Sequence, residues 1–160
     1  NGCKVKTRSE VKTVDTPQEI KTEITPIVQA PPVIPPSNED VVWGYLKQSG
    51  FTNEQAAGVM GNLQQEHNFR TDGDGLAQWL DGRLANLLAL PNARDINVQV
   101  KYLVDEMNTT ESYAGQLVRS AGTIEEATIL FQNTFERCNP AYCMQAQRIG
   151  YAYDFYGRYK

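Results

Sequence analysis

Glu66 stands at the end of a largely apolar stretch, within the run GNLQQEHNF at residues 61–69. Apolar neighbours such as Phe69 and Leu76 would disfavour the ionised carboxylate and keep the side chain protonated near neutral pH. A protonated carboxyl group at a cleft wall is what cleavage of a glycosidic bond requires, because it protonates the leaving oxygen while positive charge develops on the sugar ring. The alternative is an ordinary ionised surface glutamate without a chemical role.

A second carboxylate decides which reaction such an acid would support. Asp72 and Asp74 follow Glu66 closely and could position a water on the far face of the sugar, as in inverting hydrolases whose carboxyl groups are about 6.5 to 9.5 Å apart. Both could equally be turn formers, since Asp-Gly pairs are common in tight turns. Glu136 could reach the cleft from the opposite side, or brace the Cys138 loop through Arg137 or Arg148. The two aspartates favour hydrolysis, because a mechanism with a single acid needs neither.

Cys138 and Cys143 flank Asn139-Pro140, a turn-forming pair that would bring the two sulfurs together. We predict a disulfide here, and with it an oxidising compartment; two buried free thiols in the cytosol are the alternative. The chain has one histidine and no CxxC pair, so we expect neither a zinc site nor a cofactor.

The first 37 residues differ in composition from the rest. Residues 1–37 hold six of the eight prolines and no aromatic residue, so they cannot bury enough apolar surface to fold alone. Residues 30–36 predict an extended, polyproline-like spacer. We expect a tether or docking strand, with a featureless disordered arm as the alternative. The opening Asn1-Gly2-Cys3 is similar to the cut end of a bacterial lipoprotein signal, which would place a lipid on Cys3.

Two helices are predicted before Glu66. Ser37 or Asn38 can cap the first helix, which ends near Gly50. Thr52 and Gln55 form a capping box that opens the second helix, whose apolar face continues to the candidate acid.

The Gly-rich segment at 67–79 breaks the helical pattern and predicts a small β-hairpin. Thr123 and Glu126 form a further capping box. Helices are predicted at about 82–90, 95–107, 111–121, 124–137 and 144–158. The expected class is therefore mainly α, in an α+β arrangement with a hairpin inserted after the second helix and a Pro-rich arm in front.

The net charge of −4 and the pI near 5.0 provide no general attraction for nucleic acid or anionic lipid. No apolar run reaches the roughly 18 residues that a membrane-spanning helix needs. We therefore expect neither a nucleic-acid partner nor a membrane span.

Four short runs together resemble the phage tail lysozyme family, a branch of the lysozyme superfamily. They are GVMGNLQQEHNF at 58–69, GLAQW at 75–79, DGR at 81–83 and FER at 135–137. The chain is more distantly similar to goose-type lysozymes and lytic transglycosylases. The likeness extends over about 42–156 and implies a lysozyme-like fold.

This resemblance implies that Glu66 is the general acid. It also implies that Gly75 to Trp79 line the sugar cleft as hairpin and strand, with Gln78 hydrogen-bonding a saccharide. Trp79 is then either a stacking platform for a sugar face or, as is common for tryptophan, part of the core. His67 is either a partly exposed wall residue or a group that tunes the acid.

The family implies an enzyme that cleaves the β-1,4 bond between N-acetylmuramic acid and N-acetylglucosamine, for local penetration of the cell wall by a phage. Residues 38–160 would be the catalytic domain, and residues 1–37 would attach to other virion proteins. The alternatives are a lytic transglycosylase with the same acid, a catalytically silent structural or glycan-binding virion module, and a peptidase that cuts the stem peptide. We expect a place in the phage tail, acting in the periplasm or on the cell wall; the other location is a secreted or periplasmic bacterial enzyme anchored at Cys3.

Overall fold

The computed structural model describes residues 31–160. Most of the Pro-rich arm, including Cys3, lies outside the described residues, so its expected character and lipidation stay predictions. Residues 31–37 have no regular secondary structure and are exposed. Residues 34–160 form one compact unit that contains every helix described below.

Seven α-helices make up the described part of the chain, which confirms the mainly α class. They are α1 Asn38–Gln48, α2 Asn53–His67, α3 Asp81–Leu88, α4 Ile96–Asn108, α5 Ser112–Ser120, α6 Ile124–Phe131 and α7 Gln145–Tyr159. Within the described residues, none of these helices is long and apolar enough to cross a membrane.

The predicted capping boxes differ in how far they form. The Thr52 hydroxyl accepts from the Gln55 N–H, and the Gln55 side chain accepts from the Thr52 N–H in return. At α6 only the first half forms: Thr123 accepts from the Glu126 N–H, but the Glu126 carboxylate accepts from the N–H of Gly122 instead. In both cases the first turn gains partners for N–H groups that the helix itself leaves unpaired.

The predicted β-hairpin is absent. Residues 73–78 form consecutive turns, and the structure contains no strand anywhere in the described range 31–160. The Gln78 N–H donates to the Gly75 carbonyl (3.1 Å) and the Trp79 N–H to the Asp74 carbonyl (2.9 Å). These short-range bonds coil the backbone on itself, where a hairpin needs two extended segments that pair with each other.

The predicted helix at 124–137 changes type near its end. The α-helix stops at Phe131, and residues 132–136 continue as a π-helical turn that closes at Arg137 in the left-handed region (φ 51°). A π-helical turn is rare and often marks a functional site, because its wider backbone places side chains where an α-helix would not. Glu136 is the last residue of this turn.

Helix α2 is the centre of the molecule and packs against both α6 and α7. Two glycines on α2 permit this close packing. A Cβ at Gly58 would lie 2.7 Å from the backbone nitrogen of Thr128, and one at Gly61 would lie 2.8 Å from the Cβ of Ala152. Because α2 is held from both sides, the direction of Glu66 in its last turn is well defined.

Candidate active site

Glu66 lies in the last turn of α2, and its side chain keeps 17% of its surface exposed. Its Oε1 is 2.7 Å from Nη1 of Arg148, a residue of α7 whose side chain is 5% exposed. An arginine in contact stabilises the ionised form of a carboxylate. The surroundings of Glu66 are therefore not the purely apolar pocket that its neighbours in sequence suggested.

Arg148 is held by further hydrogen bonds that fix its position. Its Nε donates to the Cys143 carbonyl (2.6 Å), and its Nη1 donates to Asn62 Oδ1 (3.0 Å). The Asn62 amide in turn donates to the carbonyls of Gly58 and Thr128. The guanidinium is thus part of a buried network that joins α2, α6 and α7, so it has little freedom to leave Glu66.

The predicted disulfide is confirmed. Cys138 and Cys143 are bonded, with their Cα atoms 5.4 Å apart. The bridge closes the loop that supplies the carbonyl acceptor for Arg148, so it supports the position of the arginine as well as that of the loop.

Glu136, the last residue of the π-helical turn, lies close enough to Glu66 and Arg148 for their charges to act on it. Its Oε1 is shielded from solvent and accepts no hydrogen bond from any residue that the structure describes. Burial raises the pKa of Glu136 well above its usual value, and the negative charge of Glu66 raises it further, although Arg148 and Arg83 act against this. Glu136 therefore holds a proton under conditions where an ordinary glutamate has lost it.

A surface cavity of about 590 Å³ opens beside Glu136, within the size range of small-molecule sites. Glu136 and Gln78, both predicted to contact substrate, are among the described residues that line it, whereas Glu66 is not. The lining residues are Ala77, Gln78, Leu80, Asp81, Gly82, Arg83, Asn86, Glu136 and Arg137.

Trp79 lies in the core and is 1% exposed. Its Nε1 donates to Glu106 Oε2 (2.7 Å). Arg83 donates to the same carboxylate from Nε and Nη2, each at 2.8 Å. A ring buried in this way presents no face to a sugar, so Trp79 is part of the core and is not a stacking platform for a sugar. Glu106 was missed in the sequence, where a charged residue among the apolar positions of a helix gives no sign of its partners.

His67 and Asp72 are brought together on the exposed side of the turn segment. His67 Nε2 is 2.9 Å from Asp72 Oδ1, and Arg70 Nη2 is 2.5 Å from Asp72 Oδ2. The hydrogen bonds from Arg70, and then from His67, lower the pKa of Asp72 to about 2. Asp72 is therefore an ionised carboxylate over the whole physiological range.

The remaining predicted site residues, Gly75, Gln78 and Asp74, make contacts within the turn segment. A Cβ at Gly75 would lie 3.0 Å from the Trp79 ring and from Gln99 Oε1, and the residue has a φ of 81°, so glycine is required there. Gln78 donates its side-chain amide to the Gly75 carbonyl (2.9 Å). Asp74 is half-buried and contributes its carbonyl to the turn.

Within residues 31–160, the structure groups no three histidine, cysteine or acidic side chains in a way that could hold a metal ion. The sequence model of the phage tail lysozyme family matches residues 37–159. That family indicates a lysozyme-like, peptidoglycan-degrading activity. No curated protein matches the chain.

Proposed function

The chain belongs to the phage tail lysozyme family, and from that premise we propose that it cleaves the β-1,4 bond between N-acetylmuramic acid and N-acetylglucosamine with Glu66 as the general acid. The observation that carries this proposal is the contact between Glu66 and Arg148 at the last turn of α2. Glu66 is partly exposed, while its partner is buried and is also hydrogen-bonded to the Cys143 carbonyl and to Asn62. This is the arrangement of a carboxyl group that can reach a ligand and is held in one direction.

Arg148 also suits the chemistry of proton donation. When the acid gives its proton to the glycosidic oxygen, a carboxylate remains at Glu66, and its negative charge develops in the transition state. A guanidinium already fixed 2.7 Å away stabilises that charge without having to reorganise. The contact thus favours the transition state over the protonated ground state, which is the condition for faster catalysis.

Asp72 supports hydrolysis as the reaction. It is exposed and ionised, and it follows Glu66 at the turn that leaves α2. A carboxylate in that state can orient a water for attack on the anomeric carbon. Asp74, half-buried two residues further on, is the other candidate for this role.

Lytic transglycosylation is the second candidate, and it is favoured by the partners of Asp72. Both carboxylate oxygens of Asp72 already accept hydrogen bonds, one shared by His67 and Arg70 and the other from Arg70. A weak base with occupied lone pairs activates water poorly. In transglycosylation the 6-hydroxyl of the muramic acid closes on the anomeric carbon, and no water is consumed.

The biological setting we propose is the phage tail, where the domain would open the cell wall locally. The family match indicates association with a virion. In this proposal residues 1–37 attach the domain to other tail proteins, and the catalytic unit begins at residue 38.

The test compares wild-type protein with Glu66→Gln on purified peptidoglycan, with mass spectrometry of the released fragments. Glu54→Gln, on the first turn of the same helix, is the matched control and should keep full activity. We expect Glu66→Gln to release no fragments while its circular dichroism stays unchanged. Full activity of Glu66→Gln would remove the general acid from the proposal.

The fragments also separate the alternatives. Reducing ends indicate hydrolysis, anhydro ends indicate transglycosylation, and new amino termini indicate a peptidase. A wild-type protein that binds peptidoglycan but releases nothing would be a catalytically silent module, which contradicts the enzyme proposal.

A further inference from the structure

We propose that the disulfide between Cys138 and Cys143 is a positioning element of the active site, which keeps Arg148 in place beside Glu66 only while the bridge is oxidised. This inference rests on the proposed function and adds a redox control to it. The bridge itself does no chemistry on the sugar, because it acts on Arg148, and Arg148 acts on Glu66.

A continuous chain of contacts joins the bridge to the candidate acid. The Cys143 carbonyl accepts a hydrogen bond from Arg148 Nε (2.6 Å), and Nη1 of the same guanidinium lies 2.7 Å from Glu66 Oε1. Cys143 and Arg148 are both buried, so little water is present to replace this hydrogen bond if it breaks. A displacement of the Cys143 carbonyl would therefore act directly on the guanidinium that contacts the acid.

The loop between the two cysteines has few other contacts that hold it. Residues 139–142 are exposed, and the hydrogen bonds that the structure describes for them stay inside the loop. The Tyr142 N–H donates to the Asn139 carbonyl (2.9 Å), and the Ala141 N–H donates to Asn139 Oδ1 (3.0 Å). The disulfide is therefore the main connection between the start of this loop and the buried Cys143 carbonyl at its end.

The backbone on both sides of the bridge is strained. Arg137, directly before Cys138, has a φ of 51°, and Met144, directly after Cys143, has a φ of 54°. Residues other than glycine are unfavourable in this left-handed region and persist there where the surrounding structure holds them. Once the bridge is open, both residues are free to relax, and we expect the Cys143 carbonyl to move away from Arg148.

Opening the bridge requires a thiol reductant, such as the glutathione of the cytosol. Its thiolate attacks the sulfur of Cys138, which is only half-buried, and Cys143 leaves as a thiolate that takes up a proton. A second reductant thiol then displaces Cys138 from the mixed disulfide. The protein gains two electrons and two protons as two thiols, and the reductant becomes a disulfide.

The redox state of the compartment then decides whether the domain is active. In a reducing cytosol the bridge stays open and Arg148 is not held, whereas in an oxidising compartment the bridge forms and the site is complete. A bridge between cysteines five positions apart restricts the unfolded chain less than one over a long loop, so we expect the helices to survive its reduction.

The experiment measures cleavage of soluble peptidoglycan fragments by the full chain before and after reduction with dithiothreitol, without denaturant and with the free thiols counted. We expect kcat to fall by about ten-fold to a hundred-fold, because the guanidinium beside the acid loses its fixed position. KM should stay within about two-fold, since Arg148 acts on charge that develops in the transition state. Oxidised glutathione should restore kcat, and circular dichroism should stay unchanged throughout.

Two variants complete the test. The double variant Cys138→Ala/Cys143→Ala should behave like the reduced protein with or without dithiothreitol, whereas the matched control Cys3→Ser should respond to reduction as the wild type does. Full kcat with both bridge thiols free, or in the double variant, would overturn the proposal. A raised KM at constant kcat would do the same, and so would a loss of helical circular dichroism in parallel with activity, because the bridge would then serve the fold as a whole.

A second measurement does not depend on turnover. Nitrogen-15 spectra follow the exchange of the Arg148 Nε–H with solvent, which is slow while this group is buried and bonded to the Cys143 carbonyl. We expect exchange at least about ten-fold faster in the reduced protein, and equal rates in the two states would contradict the proposal. An inactive oxidised wild type would instead contradict the proposed function, so the two failures are distinguishable.

Discussion

Nη1 of Arg148 lies 2.7 Å from Oε1 of Glu66 and also donates to Asn62 Oδ1 at 3.0 Å, so one nitrogen of α7 contacts two side chains of α2. The arginine is almost completely buried. This contact unites two tasks: it fixes the end of the central helix against the last helix, and it places a permanent positive charge beside the candidate acid.

The first prediction concerns the stability that Arg148 provides. Arg148→Met leaves Glu66, Asn62 and the Cys143 carbonyl without their donor, so we expect a loss of about 3–5 kcal/mol in the free energy of unfolding. Urea denaturation measures it. Arg158→Met, which breaks the half-exposed pair with Glu39 (3.0 Å), is the control and should cost no more than about 1 kcal/mol. Equal losses in the two variants would show that the buried network does not behave as one unit.

The second prediction separates the two roles considered for Trp79. Trp79→Phe keeps a buried ring but removes the hydrogen bond to Glu106, whose side chain is only 5% exposed. We expect a loss of about 1–3 kcal/mol in stability, measured by urea denaturation, with unchanged activity per folded molecule. A raised KM without a loss of stability is the result expected of a sugar platform and would contradict the core role.

Local structure was largely predictable from the sequence because its causes are local. Ser37 and Thr52 cap α1 and α2 as expected, since each cap depends on residues only three positions apart. The disulfide was predictable for the same reason, because the two cysteines are only five residues apart and the turn at Asn139-Pro140 brings their sulfurs together.

The surroundings of the site were not predictable, because they come from parts of the chain that are distant in sequence. Nothing in the run around Glu66 indicates that Arg148 will be its partner, or that its charge will act on Glu136. The hairpin was predicted wrongly for a related reason. The Asp-Gly pairs at 72–75 do favour turns, but the segments that flank them pack into the helical core and form no pairing strands.

The third prediction tests the close packing of α2 against α7. A Cβ at Gly61 would lie 2.8 Å from the backbone nitrogen of Ala152, so Gly61→Ala must push the two helices apart, at a cost of about 1–3 kcal/mol or more. Gly150→Ala, on α7, meets no atom of the described residues within 4 Å and should instead stabilise the helix by up to about 1 kcal/mol. Thermal unfolding distinguishes the two, and a shift of the same sign in both would contradict the packing described for α2.

A loss of activity in Gly61→Ala is also expected from the same contact. Because Glu66 and Arg148 lie on the two helices that separate, the specific activity of the folded variant should fall as well, whereas that of Gly150→Ala should not. Retained activity in a destabilised Gly61→Ala protein would mean that the Glu66–Arg148 distance does not depend on this packing.

The last prediction is a dependence of stability on pH that originates at Glu136. Burial raises the pKa of Glu136 in the folded state above the ordinary value of 4.5. At a pH between the ordinary pKa and the raised one, the folded chain binds a proton that the unfolded chain has lost. The free energy of unfolding must therefore fall as the pH rises above about 4.5. Asp72 has a lowered pKa, to about 2, and its contribution to stability is lost only as the pH falls below its ordinary value of 3.8, so it does not overlap with this window.

Glu136→Gln has no proton to lose, and urea denaturation at pH 5 and pH 8 should show that its stability declines less than that of the wild type. Parallel declines in the two proteins would mean that the pKa of Glu136 is not raised in the folded state.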